Sequence, residues 1–150
     1  LGIPVISRHG SIFDPWENES FDYIIDDISG IAEKVAEISP WFNKTSCRSG
    51  EDGTDLVIEA IKKAPEHLNS EGKFFFPVLS LSNSEKIMTT ANTIFSKVTN
   101  VGHKDWKLPD EMKIHMETLC DFRSRGLIHF EEKYGWLLWS TDVYMAEMPK

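Results

Sequence analysis

Apolar runs of strand length alternate along this chain with segments of helical period, a pattern that predicts an α/β architecture on a parallel sheet. Pro4 to Ser7 reads as a short buried strand ended by His9-Gly10. Phe21 to Ile25 reads as a second strand, running into the acidic pair Asp26-Asp27. Lys73 to Leu81 reads as a third, apolar on both faces from Phe74 to Leu79, as a strand covered by helices on both sides must be. Pro77 removes a ladder donor and so predicts a bulge or the strand's end.

Between these runs lie helical segments with chemical stop and start signals. Ile31, Ala32, Val35, Ala36 and Ile38 give a short amphipathic helix stopped by Ser39-Pro40. Val57, Ala60, Ile61 and Ala64 recur at helical spacing behind Asp52 or Thr54 as cap. Ser82-x-x-Glu85 reads as a capping box for a helix carrying Ile87, Ala91, Ile94 and Val98. A fourth helix starts at Pro109 and ends by Gly126. Leu127 to Phe130 and Trp136 to Ala146 read as a hairpin about Tyr134-Gly135, with Trp136, Trp139 and Tyr144 covering the sheet's edge.

Composition narrows the class. The 150 residues are one domain's worth, long enough to bury about 70% of the unfolded surface. With 16 Lys+Arg against 24 Asp+Glu the net charge is −8, and no basic stripe offsets it, so nucleic acid is not an electrostatic partner. Cys47 and Cys120 sit in no CxxC or Cys/His cluster, which points to a reducing, cytoplasmic setting. No apolar stretch is long enough to span a membrane. His9, His103, His115 and His129 share no metal-ligand spacing. The chain begins without Met and enters an apolar run almost at once, as if it started mid-domain.

Four segments carry more specific information in their order. They are His9-Gly10-Ser11-Ile12-Phe13-Asp14-Pro15, Phe21-Asp22-Tyr23-Ile24-Ile25-Asp26-Asp27, Gly50-Glu51-Asp52-Gly53-Thr54-Asp55-Leu56 and Leu68-x-x-x-Gly72-x-Phe74. Together, from about Ile3 to Ser80, they resemble the second half of a class I S-adenosylmethionine-dependent methyltransferase, with the release-factor glutamine methyltransferases and other small-domain N-methyltransferases as the nearest likeness. The resemblance implies a Rossmann-like sheet that lacks its N-terminal strands, residues 1–150 being one partial methyltransferase domain. It implies S-adenosylmethionine as cofactor, with Ser11, Ile12 and Asp27 against it, and N-methyl transfer to an acceptor, protein or small molecule, oriented by Asp27. Ile28, Ser29 and Gly30 stand where the family has Pro-Pro-Tyr, and Ser11 replaces an acidic residue. The family's glycine-rich loop and its ribose-binding acid have no counterpart, which implies weak or no cofactor binding by this chain alone.

Each assignment has a plainer rival. Asp27 could cap a helix starting near Gly30, Ser11 could be a turn residue, and Asp52 and Asp55 suit a helix start. Asp26, next to Asp27, would point to the opposite face, so one working carboxylate is expected rather than a dyad. Trp41, with Phe42, is a candidate for substrate contact. The rival for the whole chain is a non-catalytic α/β module that completes its sheet with a second copy or a partner, and self-association is expected of the uncovered apolar surface.

Overall fold

The computed structural model describes residues 2, 4–28, 30–42 and 45–150. Its elements are strands β1 (Phe21–Ile25), β2 (Leu68–Leu79), β3 (Phe95–Lys107), β4 (Glu131–Lys133) and β5 (Trp136–Pro149), and helices α1 (Glu33–Ile38), α2 (Asp55–Lys63), α3 (Ser84–Ile94) and α4 (Met116–Ser124). The chain is thus mixed α/β, but the sheet is mostly antiparallel. Its order is β1-β2-β5-β3, with β4 on β5. Among the described residues β1 and β2 form its one parallel pair. The expectation of a parallel sheet therefore holds only where β1 and β2 are joined through α1 and α2.

Register divides the sheet into two faces. Phe74, Phe76 and Val78 of β2, with Ala146 of β5, are buried beneath α2 and α3, where Val57, Ala60, Ile61, Ile87 and Ala91 close the core. Leu79, Leu137 and Trp139 point the other way, into a second cluster built on Ile31, Val35, Leu119 and Phe122. That cluster covers only one end of its face.

Pro77 needs no bulge. It pairs in register with Val143, while Asp26 N–H donates to Phe75 O at 2.8 Å, so alternate residues Phe75 and Pro77 turn their amides toward β1. β1 ends opposite Phe75, so the donor that Pro77 lacks falls past the end of the paired register.

Several expectations are corrected. Residues 4–7 form no strand, and Val5 and Ile6 are largely exposed, because no described strand lies beside β1 on its outer side to pair with them. The helix read through Val98 stops at Ile94, and β3 begins at Phe95. Thr90, Asn92 and Thr93 side chains donate to the carbonyls four residues back, competition that weakens a helix end, and pairing with β5 takes the rest. The cap of α3 is Asn83, whose side chain accepts from Lys86 N–H at 3.1 Å, while Ser82 Oγ donates to Leu79 O. The hairpin turn at Tyr134-Gly135 stands, both residues having positive φ (54° and 75°) as a tight two-residue turn demands, but its first arm is Glu131–Lys133 rather than Leu127 to Phe130. β5 is interior, so Trp136, Trp139 and Tyr144 cover no edge; Tyr144 stacks on Phe76 at 5.9 Å.

Candidate functional site

At the carboxyl end of β1 lies a cavity of about 450 Å³. One wall is the loop Gly10, Ser11, Ile12, Phe13; another is Asp26, Asp27 and Ile28. Leu56 and Ala60 of α2 and Phe74 of β2 give it an apolar floor. Two sequence segments that had only order to recommend them are thereby brought face to face.

The first loop is fixed by local contacts. A Cβ on Gly10 would lie 2.3 Å from Pro15 Cγ, so no other residue fits there without moving Pro15. Asp14 N–H donates to Ser11 O at 2.8 Å. Phe13 is buried and stacks on His67 at 4.5 Å and 12°, and His67 Nδ1 lies 3.0 Å from Glu19 O. Between these anchors Ile12 has φ of 46°, a left-handed conformation costly for a β-branched residue. The cost, of order 1–3 kcal/mol, falls on a residue in the cavity wall.

The second loop carries the charge. Asp26 N–H extends the β1–β2 ladder one residue past the strand, and Asp26 Oδ1 accepts from Ile28 N–H at 2.7 Å. Asp26 Oδ2 is buried with no partner among the described residues. Burial pushes the Asp26 carboxyl up to about 6; the Ile28 hydrogen bond opposes that rise and the neighbouring Asp27 adds to it. Asp27 is exposed. It caps nothing: α1 starts at Glu33 with Ala32 at the cap position and no side-chain cap bond, which removes the capping rival for Asp27.

Ser11, Ile12, Asp27 and Ile28 thus meet in one cavity. Ser29 lies outside the described residues. Trp41 is elsewhere, in a second hollow with Phe42, Trp106 and Trp139. Asp52 is structural: it accepts from Thr54 Oγ1 at 2.7 Å and pairs with Lys86 at 2.8 Å. Burial works against its charge, but the bonds from Lys86 and Thr54 outweigh it and hold the carboxyl below its ordinary range. Sequence reasoning passed over Asp26 in favour of Asp27, although the adjacency of a strand end and an acidic residue pointed to both. No group of three or more His, Cys, Asp or Glu among the described residues is placed to hold a metal, and no described helix is long and apolar enough to cross a membrane.

The chain was compared with protein-family models, curated proteins and solved structures, and none of the three comparisons returned a match.

Proposed function

We propose that the cavity at the end of β1 serves S-adenosylmethionine-dependent methyl transfer to a nitrogen acceptor. The observation that supports this most is the meeting of Ser11 and Ile12 with Asp26, Asp27 and Ile28 around one 450 Å³ hollow, a volume within the range of small-molecule sites. The residues suit part of the cofactor. Ile12, Phe13 and Leu56 offer apolar surface to a flat base, Ser11 a hydroxyl to an exocyclic amine, and two carboxylates a favourable field for a sulfonium. No cation among the described residues lines the cavity to hold the cofactor's carboxylate, so binding is expected to be weak.

When bound, the cofactor supplies a methyl group by in-line displacement of its thioether. Asp27, exposed at the cavity mouth, orients the acceptor N–H and keeps its lone pair toward the methyl carbon. Asp26, one oxygen tied to Ile28 and the other without a partner among the described residues, takes the proton that the acceptor nitrogen loses. Titration of S-adenosylmethionine into the chain, followed by amide chemical shifts, tests this. Millimolar binding that moves Ser11, Ile12 and residues 26–28 is expected; no shift there, or shifts mainly elsewhere, would sink the reading. Asp27→Ala is expected to abolish transfer while changing unfolding by less than about 0.5 kcal/mol, since its side chain caps nothing.

A second reading, a module that completes its sheet with another chain, is favoured by one observation. Among the described residues β1 pairs on one side only, and Tyr23 and Ile25 are 67% and 78% exposed. Such an edge is a template for association.

A further inference from the structure

A second hollow, of about 410 Å³, is lined in part by Ile31, shortly after Asp27 and Ile28 in the chain. Ile28 lines the acidic cavity and Ile31, three positions on, lines this one, so their Cα atoms are at most about 10 Å apart. The walls are Ile31, Trp41, Phe42, Trp106, Trp139 and Thr141. None of these described residues is charged, in a chain of net charge −8. Trp106 and Trp139 are paired across β3 and β5, their rings 6.0 Å apart and 22° from parallel, and Trp41 leans against Trp139 at 5.3 Å and 54°. Trp41 and Trp106 remain 42% and 40% exposed around the hollow.

We propose that this hollow binds a neutral, planar aromatic ring bearing a hydrogen-bond acceptor. Near-parallel indoles with a third inclined beside them offer both the offset-stacked and the edge-to-face geometries that aromatic rings prefer. A cationic ligand is disfavoured, because Lys104 Nζ already lies 3.9 Å over the Trp106 ring and no carboxylate among the described residues stands in the wall. The polar groups set the remaining requirement. Thr141 Oγ1 accepts from Trp106 Nε1 at 3.1 Å and keeps its own proton to donate. That hydroxyl is the donor the wall offers, so the ring that fits carries a ring nitrogen or carbonyl. Only the identification of this ring with the methyl acceptor rests on the methyl-transfer reading; binding itself does not.

Five tryptophans give five indole N–H signals in a proton–nitrogen correlation spectrum, each assignable by a Trp→Phe variant. Quinoline, neutral and planar at neutral pH, is the probe, with cyclohexanone and tetramethylammonium as non-aromatic and cationic controls and S-adenosylmethionine absent throughout. Quinoline is expected to move Trp41, Trp106 and Trp139 saturably while Trp16 and Trp136 stay. Trp41→Ala is expected to weaken binding about tenfold, the loss of one aromatic contact. Thr141→Val, which keeps every indole, is expected to weaken it several-fold and serves if Trp41→Ala fails to fold. No saturable shift, five signals moving together, or an equal response to either control would overturn the proposal. Any of these could occur with cofactor shifts at Ser11 and residues 26–28 intact, so the two readings fail separately.

Discussion

The two faces of the sheet are finished differently. On one, Phe74, Phe76 and Val78 are sealed beneath α2 and α3. On the other, Ile25, Phe75, Met145 and Thr99 line up across β1, β2, β5 and β3, and Phe75, Pro77, Val143 and Met145 stay only half-buried. The second layer reaches only the end of that face, at Leu79, Leu137 and Trp139. The same apolar run in β2 thus meets a finished core on one side and a half-finished one on the other. Both candidate sites lie where packing gives out: the acidic cavity where β1 ends, the aromatic hollow where the second layer stops.

The comparison can be broken most forcefully within β2. Phe76→Ala, at a fully buried ring, is expected to cost about 3–5 kcal/mol in urea unfolding, and Phe75→Ala, one residue away on the open face, less than about half of that. Equal losses would mean that the open face is as tightly packed as the sealed one.

Asp26 sets the next effect. Its pKa is raised from 3.8 to about 6 in the folded chain, so the fold binds that proton more tightly than the unfolded chain does. Stability therefore falls as pH rises from about 4 through about 6, and the penalty is complete above that. A rise of about two pH units corresponds to about 3 kcal/mol. Asp26→Asn is expected to gain up to about that much near pH 8 and nothing below about pH 4, in unfolding measured at both. A variant equally stabilised at both would show that charge was not the cause.

Smaller effects sharpen the picture. Asn83→Ala, which removes the cap bond to Lys86 N–H, is expected to cost about 1 kcal/mol, whereas Ser82→Ala, at the position first read as the cap, should leave that bond intact. At the open edge, Ile25→Ser is expected to change unfolding by less than about 0.5 kcal/mol and to abolish concentration-dependent association in sedimentation. Association that survives it would remove the second functional reading.

Much of the sealed layer was legible in the sequence, because α2 and α3 present their apolar residues at helical spacing and Phe21–Ile25 reads as a strand by composition. The open side was not. β3 carries Val98 and Val101 among polar residues, and its pairing with β5 comes from tertiary contact rather than from alternation. The interior place of β5 follows from chain topology, which no local pattern encodes, so its aromatic residues were read as an edge cover. The resemblance singled out Ser11, Ile12, Asp27 and Ile28, and the fold brings those four to one cavity. The inequality of the two carboxylates was invisible, since it depends on which of them the floor of Phe74 and α2 shields from water.

The carboxyl-carbon titration of Asp26 by NMR measures that inequality most directly. The account predicts a midpoint of about 6 in the wild-type chain, shifting when S-adenosylmethionine is added. A midpoint near the ordinary 3.8, unmoved by the cofactor, would contradict it.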